Sequence, residues 1–224
     1  MSSNLPYTLI RSKRRTIALV VTSNALLIVR APLRTPHKYI SELLQKKKNW
    51  IEKKQHDMLV NRKQTRIKEY SEGEEFLYLG KPYSLRIEDC NHIEIIDSAN
   101  VLRFPKKFLT NPAKKIIMWY KTMAHKIIQE QAELYSTTTG WKYTSFKITS
   151  ATTRWGSCSG TNINFTWRLV MAPLEAIEYV VVHELAHIHE KNHGAIFWNK
   201  VESVLPEYKK CEQWLQDNQK FLDI

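Results

Sequence analysis

Val180-Val181-Val182-His183-Glu184-Leu185-Ala186-His187 contains the pattern His-Glu-x-x-His. On an α-helix, residues four apart lie about 40° apart around the axis and one turn along it. His183 and His187 would then project from one face, spaced to hold a single metal ion. Glu184 adjoins the first of them and can reach a metal-held water as a general base. Ala176, Ile177, Tyr179, Leu185, Ala186 and Ile188 surround the pattern on nearly every face. A helix apolar all round is a buried one, and buried imidazoles and carboxylates need partners. The three valines also suit a strand. Pro173 upstream, with Glu175 and Glu178 near the start, favours a helix.

Downstream, His193 follows His187 by six residues. Catalytic zinc sites usually take three protein ligands and leave one position for water. The spacing His-Glu-x-x-His-x5-His is that of the metzincins, although Glu190 stands where they carry a midway glycine. Asn192 and Gly194 flank His193, and both tolerate the left-handed backbone a return turn can require. His189 should point elsewhere, as a surface or supporting histidine. Glu202, on the next helix, is the competing third ligand, and Glu190 a weaker one.

Upstream, Arg154-Trp155-Gly156-Ser157-Cys158-Ser159 is followed by Asn164-Phe165-Thr166-Trp167-Arg168-Leu169. With the His-Glu stretch and Asn192-His193-Gly194-Ala195-Ile196-Phe197-Trp198, these blocks resemble the YgjP-like metallopeptidase family, distant kin of the SprT-like zinc proteases. The clear likeness covers roughly residues 140–215. It implies a zinc-dependent hydrolase with His183, His187 and His193 as ligands and Glu184 as base. It leaves the substrate open, because nucleotide pyrophosphohydrolase activity has also been attributed to this group.

The 224 residues are enough for one large domain or two small ones. No apolar run approaches a membrane span, so no membrane partner is expected. The start lacks the apolar centre of a signal peptide. Cys90, Cys158 and Cys211 form no Cys-x-x-Cys pair and no disulfide framework, which fits a reducing cytoplasm. The net charge of +12 is uneven: residues 1–72 hold 16 Lys/Arg against 5 Asp/Glu. That bias predicts a nucleic acid, nucleotide phosphate or acidic protein as partner, unless it is only a solvated face.

Tyr7–Ile10, Thr16–Val21 and Ala25–Val29 read as strands of a small antiparallel sheet. A helix from His37 to about Gln55 carries Ile40, Leu43, Leu44 and Ile51 at helical spacing. Lys46-Lys47-Lys48 with Trp50 can mark a nucleic-acid surface, but Trp50 reads first as a core anchor. Phe76–Leu79 and Tyr83–Ile87 form a hairpin around Gly80, and Ile93–Ile96 and Val101–Phe104 add two strands. Asn111-Pro112 opens a helix to about Tyr135, burying Ile116, Ile117, Tyr120, Met123, Ile127 and Leu134. Phe146–Thr149 and Ile163–Trp167 are strands, with Arg154 to Cys158 in the loop between them. Helices follow from Ala195 to Leu205 and beyond Pro206.

The expectation is an α+β protein. An antiparallel β-rich part, residues 1–109, precedes a mainly helical, zincin-like catalytic part, residues 110–224. Its chemistry is zinc-dependent hydrolysis, of a peptide first. The alternatives are hydrolysis of nucleoside triphosphates and a nucleic-acid-associated protein with a structural zinc. Arg154 and Arg168 could hold a substrate carboxylate or phosphate, or pair with Glu175 or Glu178. Cys158 reads as a small buried hydrophobe rather than a nucleophile.

Overall fold

Leu27, Val29 and Ala31 alternate with Ile28 and Arg30, and that period of two buries one face of a strand. The computed structural model describes residues 6–22, 25–64, 68–222 and 224, without the side chains of 57–64 and 221. The chain divides into two compact units, residues 1–67 and 68–224. The sequence-based line at 109/110 instead follows a change from strands to helices.

In the first unit, β1 (Tyr7–Ser12), β2 (Ala18–Val21) and β3 (Leu27–Pro32) form a sheet in the order β1-β3-β2. β2 and β3 are the expected hairpin, but β1 runs parallel to β3, so this sheet is mixed rather than antiparallel. The difference arises because β3 takes the middle place between two strands that precede it. α1 (His37–Lys46) and α2 (Lys48–Gln64) follow, where the sequence suggested one helix ending near Gln55. Ile40, Leu44 and Ile51 pack with Leu27, Val29 and Ala31 into a small core. Trp50 is not part of it: it lies one residue from Ile51, about 100° around the helix, and is 46% exposed.

The second unit opens with β4 (Glu75–Tyr78), β5 (Lys81–Glu88), β6 (Glu94–Ile96) and β7 (Val101–Pro105), in the order β4-β5-β7-β6. β5 and β7 are parallel, so this sheet is mixed too. Leu79 and Gly80, both with positive φ, turn the β4–β5 hairpin. Their N–H groups donate to the carbonyls of Val170 and Met171 at 2.9 and 3.0 Å. A Cβ on Gly80 would sit 2.7 Å from Pro173 Cγ, so the glycine lets the hairpin tip close on the chain entering the His-Glu helix.

α3 (Pro112–Thr139) starts at Asn111, whose side chain accepts from the Lys114 N–H, and ends at Gly140 in left-handed conformation. Its buried stripe is Ile116, Tyr120, Ala124, Ile128, Ala132 and Ser136, a strict i+4 row. Ile117, Met123 and Ile127 are only partly buried, and Leu134 is 53% exposed, contrary to the sequence reading. The small alanines in the row let α4 (Leu174–Ala186) lie close against α3. β8 (Ser145–Thr149), β9 (Gly156–Ser159) and β10 (Asn162–Thr166) form a third sheet in the order β8-β10-β9. α5 (Ala195–Val204) and α6 (Tyr208–Asn218) also pack on α4. Strands precede a mainly helical C-terminal region, an α+β arrangement. Among the described residues, no helix is long and apolar enough to cross a membrane.

Candidate metal centre

α4 is buried over most of its surface: Ala176, Ile177, Tyr179 to Val182 and Glu184 to Ala186 are all buried. The valine run is therefore helix, as Pro173 and Glu175 suggested. His183 occupies its last turn and His187 caps its end. The chain then tightens: Ile188 and His189 donate to Leu185 and Ala186, and Gly194 donates to Asn192 at 2.8 Å. This last bond makes a three-residue turn centred on His193. Neither Asn192 nor Gly194 adopts positive φ, so the return needs no left-handed residue there.

These elements bring three imidazole nitrogens to one point. His183 Nε2 and His187 Nε2 are 3.2 Å apart, His187 and His193 Nε2 3.1 Å, and His193 and His183 Nε2 3.0 Å. A tetrahedral zinc with Zn–N bonds of about 2.0–2.1 Å needs nitrogens roughly 3.3 Å apart. The triangle fits that requirement closely. His187 Nδ1 lies 2.9 Å from the Glu190 carbonyl; donating there leaves the Nε2 lone pair facing the triangle. Burial, and then the neighbouring His187 and His193, lower the His183 pKa to about 3. Burial first, then His187, lowers His193, while Glu212 opposes the shift. Neutral imidazoles are what a metal requires.

Phe197 of α5 supports all three rings from below, with centroids 4.9, 4.5 and 4.7 Å from His183, His187 and His193. Trp198, Tyr208 and Tyr179 continue this aromatic wall through two stacked contacts. Nothing in the sequence signals that the one Phe197 ring touches three imidazoles.

Glu184 points to the other side, toward β9, and is 6% exposed. A Cβ on Gly156 would meet its Oε1 at 2.5 Å and its Cγ at 2.6 Å. Gly156 thus provides the space that this carboxylate occupies, a role the sequence reading missed. Burial pushes the Glu184 carboxyl up to about 8, against the opposing pull of the Arg154 guanidinium.

Two clefts meet at His183 and Glu184. One, of about 570 Å³, runs along the whole of β9 and past His187, Lys191 and His193. The other, of about 320 Å³, is lined by Trp155, Tyr179, Leu215, Glu212 and Gln216. Arg154 borders both. β9 is an outer strand, so one side of its backbone has no neighbouring strand in the sheet. Its register with β10 pairs Gly156 with Phe165 and Cys158 with Ile163, where the sequence suggested a loop.

The remaining candidates fall away from the triangle. Arg168 stacks on Trp167 at 4.4 Å and lines a small cavity of about 40 Å³ beside the main clefts. Glu202 is exposed and Glu190 contributes its carbonyl, so neither carboxylate joins the cluster, whose members are His183, His187 and His193. His189 is exposed, 6.2 Å from Trp141. Cys158 lines the longer cleft, and burial raises its thiol pKa.

Three converging imidazoles beside a buried carboxylate could hold a metal ion. The chain matches the YgjP-like metallopeptidase domain over residues 15–218, nearly its whole length, and belongs to that family. No curated protein and no solved structure matches it.

Proposed function

We propose that the protein is a zinc-dependent peptidase, with His183, His187 and His193 holding the metal and Glu184 acting as general base. The reading rests on one observation: the Nε2 triangle and the buried Glu184 carboxylate border the same cleft. Zinc bound by three imidazoles supplies a Lewis acid that brings a water's pKa to about 7. Glu184 takes a proton from the attacking water and returns it to the leaving amine. Gly156 and the walls around Glu184 hold that carboxylate in place. The open side of β9 aligns an extended peptide by main-chain hydrogen bonds. Arg154, where the clefts meet, engages a substrate carbonyl or carboxylate. Cys158 stays a protonated thiol and takes no nucleophilic part. The three free cysteines suit a cytoplasmic setting.

Arg154 and Lys191 on the longer cleft favour a second reading, since both could hold phosphates. One experiment separates the two: metal analysis, then a screen of peptides and nucleoside triphosphates with chelator and zinc add-back. Peptide cleavage abolished by the chelator and restored by zinc is expected. Cleavage of triphosphates alone would move the chain to phosphohydrolysis. Zinc retention with neither activity would favour a structural metal.

A further inference from the structure

The whole net charge of the chain lies in its first unit. Residues 1–67 hold 15 Lys/Arg against 3 Asp/Glu, while the remainder is balanced at 19 against 19. The same unit carries the exposed aromatic rings. Among the described residues these are Tyr39, 56% exposed, and Trp50, 46% exposed.

Trp50 has a specific setting. Lys46 and Lys47 precede it by four and three residues, and Lys53 and Lys54 follow it by three and four. Positions three and four apart are neighbours on a helix surface. Helical hydrogen bonds carry this geometry through the junction of α1 and α2: Lys47 donates to Leu43 at 3.0 Å and Ile51 to Lys47 at 2.9 Å. All four lysines are exposed, and none has an ion pair among the described residues. An indole is thus held half in water, flanked on both sides along the helix by ammonium groups. Ile40, Leu44 and Ile51 already fill the buried stripe, so the core does not need Trp50.

We propose that the α1–α2 surface binds single-stranded nucleic acid, with Trp50 stacking on an unpaired base and Lys46, Lys47, Lys53 and Lys54 holding the flanking phosphates. Stacking on an exposed ring needs a base free of its duplex, whereas lysines alone would serve any polyanion. A membrane-lying helix requires a broad apolar face, and the positions around Trp50 are lysines instead. Tyr39, on α1 beside Lys38, offers a second ring to the same strand. The proposed zinc residues all belong to the other unit, so binding is expected with and without metal.

The test uses the full chain, chelated and zinc-loaded, with labelled oligouridylate and oligothymidylate of about 20 nucleotides. A duplex of equal length and phosphatidylserine–phosphatidylcholine vesicles serve as competitors. Single strands should bind more tightly than the duplex, and vesicles should not displace them. Trp50→Ala should weaken binding about 10-fold without changing its salt dependence, and Trp50→Phe should restore part of the loss. Replacing the four lysines by glutamine should reduce the slope of log affinity against log salt by about 3. Equal affinity for duplex and single strand with Trp50→Ala unchanged would overturn the proposal. So would displacement by the vesicles, or an absence of binding at low ionic strength.

Discussion

The two units solve opposite problems with charge. The first carries 15 cations with 3 acids to balance them. The second is neutral overall, yet buries one carboxylate and draws three imidazole nitrogens within 3.2 Å of one another. Surface cations act through their number, each screened by water and salt. A buried cluster acts through position, and every member is needed. Single substitutions of charged or ligating groups should therefore be decisive in the second unit, and the loss of one cation minor in the first.

The largest effect is expected at the triangle. His193→Ala should cost at least about 100-fold in zinc affinity, more than the loss of a supporting contact. Glu202→Gln should keep wild-type zinc, because that side chain is exposed and outside the cluster. Competition with a chelator of known affinity measures both. The reverse pattern would remove the positional argument for this unit.

A smaller effect is expected from Gly156→Ala. The new methyl would collide with the Glu184 carboxylate, which must shift. Turnover should fall about 10- to 100-fold with zinc content unchanged. A variant with full turnover would show that the space at Gly156 does not position the carboxylate.

A pH effect on the chelated protein sharpens the comparison further. Glu184 has its carboxyl raised to about 8 in the folded chain, from an ordinary value of 4.5. The folded state therefore holds this proton more tightly than the unfolded state does. Its stabilising contribution is present below about pH 4.5 and is lost progressively as pH rises to 8. Glu184→Gln removes that loss. Its melting temperature relative to wild type should rise between pH 5 and pH 8.5, by on the order of 5 °C. A constant difference across that range would mean that burial does not perturb the carboxyl.

The smallest effect belongs to the first unit. Lys53→Gln should lower oligonucleotide affinity only about twofold at moderate salt, since each lysine adds one screened phosphate contact.

What could be read from the sequence follows how local each feature is. His183 and His187 lie one helical turn apart, so the period of the α-helix alone set them on one face. His193 could be placed by spacing, but the three-residue turn that delivers it carries no residue signature. β9 is not legible in the sequence because Gly-Ser-Cys-Ser lacks the branched and aromatic residues that mark a strand; β10 makes it one by pairing. Gly156 and Glu184 are 28 residues apart, and only the folded chain shows why a glycine stands there. The parallel direction of β1 depends on which strand takes the middle of the sheet, a choice made in three dimensions. Residue type leaves Trp50 between a core anchor and a basic surface, and the phase of its helix turns it outward.

Glu184→Gln tests the central claim most directly, with zinc content and turnover measured on the same preparation. Glutamine keeps the size and hydrogen bonding of the side chain but cannot accept the proton of water. Zinc should stay at the wild-type level while turnover falls at least about 100-fold. Wild-type turnover in this variant would show that Glu184 is not the base and that the buried carboxylate has no part in the chemistry.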